Sequence, residues 1–476
     1  MTNVPSRSAR ADNISEEFFV TDTVYDMVIL GAGSGGYAAA LRGAQLGLRV
    51  ALIEADKIGG TCLHRGCVPT KAILHSAETA EAVREAAAVG VRAAYQGLDM
   101  PAVQRYKNGV ISRMYKGLQG LVASRGIEVV GGWGRLVARD TVEVSGRRYR
   151  GRNIVLATGS LSKTMGQEIS GPVMTSDQAL ELDRVPASAV VLGGGVIGVE
   201  LASAWASMGS QVTIIEALPH LVPNEDEAIS KQLERAFRKR RIAFRTSTMF
   251  ESVERTAAGV TVRTADGRTH DAEVLLIAVG RGPATANLGY EEVGVAMDRG
   301  FVLTDDYGRT NVEGVWAVGD IVPGVQLAHR GFAQGITVAE KIAGLDPRPV
   351  DDALVPKVTF CEPEIASVGL SEARAAELHG AENVTTSEFN VAGNAKSQIL
   401  GTQGFVKLVS LKDGPIVGFH AIGARMGEQV GEGQLIVNWE ADADDVAALV
   451  HAHPTQNETL GEAAMALAGK PLHNHG

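Results

Sequence analysis

One unit appears twice in this chain, and it constrains the fold more than anything else in the sequence. TVYDMVILGAGSGGYAAALRGAQLGLRVALIEAD runs an apolar strand, Met27 to Leu30, into Gly31, Gly33 and Gly36, then a helical pattern and a second strand ending at Glu54. SAVVLGGGVIGVELASAWASMGSQVTIIEA repeats the order with Gly193, Gly195, Gly198 and Glu216. In both, the acid follows the first glycine by 23 residues (54 − 31 and 216 − 193). Each residue has a mechanical task in a Rossmann-like unit: the first glycine permits the tight turn, the second lets backbone approach a pyrophosphate, and the third lets helix and strand pack closely. The acid is then placed to accept hydrogen bonds from a ribose. Two such units imply two nucleotides, or one duplicated unit of which a single copy binds; we take the first reading.

After Glu216 come Ala217, Leu218 and Pro219, with no arginine to meet a 2′-phosphate, which favours NAD over NADP at the second unit. Three short segments support a flavin at the first. RNIVLATGS (152–160) and VLLIAVGRGP (274–283) read as strands crossing between domains, and NVEGVWAVGD (311–320) reads as a strand ending at Gly319 and Asp320. Asp320 is either a ligand for a polyol hydroxyl or a turn aspartate capping the next helix.

With 476 residues the chain exceeds what one core serves, and 56 glycines suit many tight strand-to-helix turns. Forty-five basic against 55 acidic residues give a net charge of −10, without a basic block that would mark a nucleic-acid or anionic-membrane surface. No apolar run reaches the roughly 18 residues a membrane helix needs. Residues 1–23 lack the apolar core of a secretory signal and read as a flexible tail, and three cysteines do not build a secreted disulfide framework. A cytoplasmic protein is expected.

Two of those cysteines lie in GGTCLHRGCVPTKAIL (59–74). In a continuous helix Cys62 and Cys67 would have Cα atoms roughly 8–9 Å apart, beyond the about 7 Å a disulfide tolerates. Pairing therefore needs the backbone near His64–Gly66 to leave the helix, which Gly66 allows, and the bond would be short-looped and easily reduced. A redox-active pair is the preferred reading, with two unrelated buried thiols and a metal site as the alternatives; apart from His64 nothing local completes a zinc ligand set. Cys361, in VTFCEPEIASVG, reads as a small buried hydrophobe in a strand-like stretch. In HAHPTQNETLGEA (451–463), His453 with Glu458 as orienting carboxylate is a plausible acid–base dyad, and a thiol of ordinary pKa needs such a base at neutral pH. Spacing alone leaves a structural histidine equally open.

GGTCLHRGCVPTK, the two fingerprints, ATGS and VGD together resemble the flavin-dependent disulfide reductases, nearly end to end. HAHPTQNETLGEA is similar to the HAHPTxSE element of the dihydrolipoamide dehydrogenase family, with Asn457 for a common serine; His64-Arg65 stands where that family often has Asn-Val, and Thr70 where it often has Ser. The resemblance implies an α/β chain of two Rossmann-like domains, binding FAD and NAD, plus a C-terminal α+β dimerisation domain. FAD would lie against Gly31, Gly33, Gly36, Glu54, Thr61, Lys71, Thr158, Gly159 and Asp320, and NAD against Gly193, Gly195, Gly198, Glu216 and Gly280. It further implies that His453 deprotonates dihydrolipoamide, that the thiolate attacks Cys62, that Cys67 faces the flavin, and that the flavin reduces NAD⁺. Lys71 would pair with Glu200, His451 would be structural, and His453 would act on the disulfide of the other subunit of a homodimer.

On that basis residues 24–150 and 281–348 form the FAD-binding domain, 151–280 the NAD-binding domain and 349–476 the C-terminal domain, with 344–356 as the linker into it. A lipoyl-bearing acyltransferase or carrier protein is the implied partner, and no metal is expected. The rivals are a glutathione- or mycothiol-type reductase, which would want an arginine after the second fingerprint, a mercuric reductase, which would carry a cysteine pair at its extreme C-terminus where this chain reads KPLHNHG, and a non-catalytic flavoprotein subunit.

Overall fold

The computed structural model describes residues 20–473. Strand β1 (Val20–Leu30) opens the first unit. It leads into α1 (Ser34–Gln45), β2 (Val50–Glu54), the short α2 (Gly60–Arg65), α3 (Cys67–Glu85) and α4 (Met100–Ser124). The expected tail boundary at residue 23 falls inside β1; residues 1–19 lie outside the described residues. The sheet continues with β3 (Glu128–Gly131), the antiparallel β4 (Gly134–Ala138) and β5 (Thr141–Val144), and β6 (Arg147–Leu156). β2 and β6 flank β1 in parallel, and Met27, Val28 and Ile29 are fully buried: Met27 and Ile29 pack against α1 and the later helix Ala328–Ile342 on one face, and Val28 against the β4–β5 hairpin strands and the 288–302 segment on the other.

The chain then crosses by β7 (Ser160–Ser162) into the second unit, where β8 (Val173–Met174), α5 (Ser176–Ala179), β9 (Ser188–Leu192), α6 (Val196–Met208), β10 (Gln211–Ile215), α7 (Glu227–Lys239) and β11 (Ala243–Arg245) follow. A three-stranded antiparallel flap, β12 (Phe250–Thr256), β13 (Gly259–Thr264) and β14 (Thr269–Ala272), precedes β15 (Val274–Ile277). The strand order β11-β10-β9-β15-β8 is parallel throughout. β16 (Arg281–Pro283) returns antiparallel to β7, so two short strands form the bridge between the units. The hairpin β17 (Met297–Asp298) and β18 (Phe301–Val302) and strand β19 (Val315–Ala317) then rejoin the first unit, with β19 parallel to β6, and α8 (Ala328–Ile342) packs on α1 so closely that a Cβ on Gly335 would stand 2.2 Å from Gly35 O.

Two expected limits move. The boundary at 150/151 cuts β6, which is one strand to Leu156 because Gly151 lies against Val28 with no room for a Cβ (2.9 Å). The strand expected to reach Asp320 ends at Ala317, and Asp320 sits in a 3₁₀ turn. After the 344–356 linker, β20 (Lys357–Thr359), β21 (Glu364–Gly369), α9 (Glu372–His379), β22 (Val384–Asn390), α10 (Ala395–Leu400), β23 (Phe405–Leu411), β24 (Ile416–Gly423), α11 (Met426–Asn438), α12 (Ala443–Ala447) and α13 (Glu458–Leu467) make a five-stranded antiparallel sheet with helices packed on it. Cys361 lies buried in the β20–β21 connection, its thiol donating to Pro363 O, so it is the small buried group expected but not in a strand. No helix among the described residues is long and apolar enough to cross a membrane.

Candidate active site

A single cleft of about 1780 Å³ runs between the two nucleotide units and the start of the C-terminal sheet. It exceeds the ~300–1,000 Å³ of ordinary small-ligand pockets and takes its lining from both nucleotide units. Gly31, Gly33, Glu54, Thr61, Cys62 and Cys67 line it, as do Gly193, Gly195, Glu216, Gly280, Thr158 and Asp320.

The glycines divide their work as local sterics dictate. Gly31 and Gly193 have φ +101° and +102°, and a Cβ on either would collide with Ala157 O (2.3 Å) or Ala278 O (2.4 Å) on the crossing strand. Gly36 and Gly198 sit where a Cβ would meet Gly31 O (1.9 Å) or Gly193 O (2.0 Å), so helix and strand touch backbone to backbone. A Cβ on Gly33 or Gly195 would meet nothing within 4 Å. These two glycines cap α1 and α6 without a side-chain hydrogen bond, leaving the first-turn N–H groups and the positive helix ends facing the cleft. That donor set fits pyrophosphates at both units.

The two acids share a role that spacing did not disclose. Glu54 accepts from Ala32 N (2.7 Å) and Asp56 N (2.9 Å); Glu216 accepts from Gly194 N (2.6 Å) and Leu218 N (2.7 Å). Each carboxylate thus ties the turn after the first glycine to the end of the second strand, while its remaining lone pairs face the cleft.

The cysteines stand in two helices. Gly66 (φ −138°, ψ −111°) ends α2 and begins α3, the break in helix that pairing requires, and Cys67 is the first residue of α3. Both cysteines are free thiols in hydrogen-bond contact. The Cys62 thiol donates to the Cys67 sulfur, which, with the Lys71 ammonium and against burial, brings Cys67 down to about 7; the same bond and burial push Cys62 well up. One sulfur is thereby a thiolate near neutral pH and the other its proton donor. Lys71 Nζ donates to both oxygens of Glu200 (2.9 Å each) and lies 4.6 Å from the Phe360 ring centroid. Glu200 is 3% exposed and also accepts from Phe360 N (2.8 Å), so one carboxylate ties α3, α6 and the C-terminal sheet together beside the thiols.

Asp320 accepts from Ser160 Oγ (2.5 Å), which in turn accepts from Arg281 Nε (2.7 Å); Arg281 also donates to Ser160 O (2.6 Å). Ser160 and Arg281 were not singled out from sequence; the polar residues in the SLS and GRGP crossing segments are the signal available. Thr158 Oγ1 donates to Ala284 O (2.7 Å), and Gly159 and Gly280 carry φ +75° and +103° at the ends of the crossing strands.

His453 and Glu458 lie elsewhere. His453 Nδ1 meets Glu458 Oε1 at 2.8 Å, and Glu458 Oε2 accepts from Thr455 N (2.8 Å). Burial works against ionisation of Glu458, but these two bonds hold its carboxyl below the usual range. The dyad lines no part of the cleft, and the His453 side chain is 73% exposed. His451 pairs instead with Glu432 on α11 (2.7 Å). Among the described residues no group of His, Cys, Asp and Glu is disposed to hold a metal.

The pyridine nucleotide-disulphide oxidoreductase family model matches residues 25–335, and the dimerisation domain of that family matches 355–464. A dihydrolipoyl dehydrogenase of Bacillus subtilis is 37% identical over 473 residues, covering 95% of this chain and 99% of the relative. The mitochondrial dihydrolipoyl dehydrogenase 1 of Arabidopsis thaliana is 36% identical, covering 94% and 91%. Among solved structures, LpdA of Mycobacterium tuberculosis superposes with a TM-score of 0.86 at 26% identity (93% and 99% covered), and the HOCl-induced flavoprotein disulfide reductase RclA of Escherichia coli with 0.83 at 27% (92% and 99%). Twin nucleotide turns, a thiol pair between them and these likenesses converge: the chain belongs to the pyridine nucleotide-disulphide oxidoreductase family.

Proposed function

We propose that the protein is a dihydrolipoyl dehydrogenase, oxidising a protein-bound dihydrolipoyl group through the Cys62–Cys67 couple and passing the electron pair to NAD⁺. The observation that carries this is the thiol pair in one cleft with both nucleotide turns, one sulfur held near its thiolate form. In the oxidised enzyme His453 Nε2 takes a proton from one substrate thiol, and the resulting thiolate attacks Cys62 Sγ; the Cys62–Cys67 bond breaks and Cys67 leaves as the thiolate. The second substrate thiol then displaces Cys62, giving the cyclic disulfide and a reduced pair, two electrons and two protons having left the substrate. Glu458 fixes the imidazole so that Nε2 faces outward and stabilises the imidazolium. Lys71, held by Glu200, keeps a positive charge by the Cys67 thiolate. The α1 N–H groups behind Gly33 and the cleft at Glu54 would hold FAD at the first unit, where it would supply the electron transfer between the thiols and NAD⁺ at the second.

His453 is exposed and away from the cleft of its own chain, and the C-terminal residues match a dimerisation domain. We therefore assign a homodimer in which each His453 serves the other protomer's cysteine pair, in the cytoplasm, with a lipoyl-bearing acyltransferase or carrier as partner. The domain partition we propose keeps 281–348 with the FAD unit and 349–476 for the interface, and starts the NAD unit at 157 in place of 151, so that β6 belongs wholly to the FAD unit. The test is the visible spectrum of the purified protein followed by dihydrolipoamide-dependent reduction of NAD⁺ and of NADP⁺. A flavin spectrum with strong NAD⁺ turnover is expected, and Cys62→Ser abolishes turnover while FAD stays bound. A flavoprotein inactive with dihydrolipoamide overturns the substrate; a protein that neither carries nor takes up FAD overturns the whole reading.

A further inference from the structure

His453 stands at the exposed crest, residues 452–454, of an arch over 451–457 that lies between α12 and α13, and a general base on such a crest has to be held still to work. Glu458 orients the ring and accepts from Thr455 N (2.8 Å), and the C-terminal half of the arch is held further by Asn394 Nδ2 donating to Thr455 O (2.9 Å) and Gln456 Nε2 donating to Ala424 O (2.7 Å). Something else grips the feet of the arch: Glu432, from α11. Its Oε1 meets His451 Nε2 at 2.7 Å and its Oε2 accepts from Asn457 Nδ2 at 2.5 Å, so one carboxylate holds residues six apart that bracket His453. Asn457 stands at the N-cap of α13, where its side chain would ordinarily accept from the helix, yet it makes no cap bond and turns to Glu432 instead. The His451 ring is wedged against α13 at Gly461, where a Cβ would stand 2.5 Å from Nδ1. Glu432 draws His451 above the usual imidazole range against burial, and Glu432 is itself held low, against its own burial, by His451 and Asn457, so each partner favours the charged form of the other.

We propose that Glu432, His451 and Asn457 form a positioning clamp for the base: they fix both feet of the arch so that His453 Nε2 is presented to the substrate thiol at one height and angle. None of the three touches substrate. The inference deepens the reading of His453 as the base and rests on it.

The test uses the FAD-loaded enzyme with H451A, H451Q, E432Q, G461A and, alongside, H453Q. Two reactions are followed: dihydrolipoamide with NAD⁺, and NADH with ferricyanide, which needs no thiol base. H451A and E432Q are expected to lose roughly tenfold or more in kcat with dihydrolipoamide, with KM within about twofold and ferricyanide reduction unchanged. H451Q, whose amide can still donate to Glu432, recovers most of the loss. G461A follows H451A because its methyl displaces the ring, although alanine is the better helix former by up to ~1 kcal/mol. Wild-type kcat in H451A, E432Q and G461A, with H453Q inactive, overturns the clamp; so does a parallel fall in both reactions, which marks a merely structural role. Full dihydrolipoamide turnover in H453Q overturns the reading of the base instead.

Discussion

Alanine placed at Gly195 and at Gly198, three residues apart, should produce opposite failures. At Gly195 the backbone (φ −76°, ψ −177°) accepts any residue and a Cβ meets no atom within 4 Å, so the chain folds as before. The methyl, however, projects into the cleft in front of the α6 N–H groups that have no helical partner. A phosphate forced off one charge-assisted hydrogen bond loses ~1.5–3 kcal/mol, which raises the Kd for NAD⁺ roughly 10- to 100-fold. At Gly198 the Cβ would lie 2.0 Å from Gly193 O and 3.3 Å from Val191 Cγ1, so helix and strand must part. Overpacking of this kind costs ~1–3 kcal/mol or more, and no flexible side chain is there to give way. The assay is calorimetric titration with NAD⁺ beside thermal unfolding and FAD content. G195A should keep Tm and FAD and lose NAD⁺ affinity; G198A should lose Tm first. A G195A protein that melts with G198A, or one that binds NAD⁺ within about twofold of wild type, would refute the steric division of labour among the three glycines.

Lys71→Met strands Glu200, 3% exposed, with only the Phe360 N–H for company. Uncompensated buried charge of this sort costs ~3–5 kcal/mol, so chemical denaturation should show a large loss that the double variant K71M/E200Q largely restores. Cys67 in the reduced protein should react with iodoacetamide along a curve centred near pH 7, slowing as pH falls and the thiolate is protonated. Cys62→Ala removes the largest cause of that lowering and moves the midpoint upward, whereas Cys62→Ser keeps a hydroxyl donor and moves it less; equal midpoints in the two variants would sink the assignment.

How much of this could be read from residues alone varies with how local the cause is. The six fingerprint glycines were legible because their spacing belongs to one strand–turn–helix, in which Gly36 and Gly198 meet the carbonyls of Gly31 and Gly193, although what Gly31 and Gly193 themselves avoid, Ala157 O and Ala278 O, comes from segments distant in sequence. The helix break at Gly66 followed from disulfide geometry. Glu54 and Glu216 were read as ribose ligands only, because their bonds to Ala32 and Gly194 exist only once strands 22 residues apart lie side by side. Ser160 and Arg281 meet across 121 residues through the β7–β16 pairing, a contact no periodicity encodes. The cut through β6 came from starting the crossing strand at Arg152, whereas β6 runs from Arg147 and Gly151 within it lets Val28 come close. His451 was read as structural from the resemblance, and the partner that holds it, Glu432, comes from another helix and was not legible in the sequence.

The two backbone hydrogen bonds that Glu216 accepts have a bearing on how such a protein changes allegiance. Replacing it by a small or basic residue, the obvious way to admit a 2′-phosphate, also strips the Gly194 and Leu218 N–H groups of their acceptor. The first step towards NADP is therefore paid in the shape of the turn that both nicotinamide cofactors need. A lineage, or an engineer, crossing from one to the other must first furnish the loop with a different acceptor, and only then alter the charge.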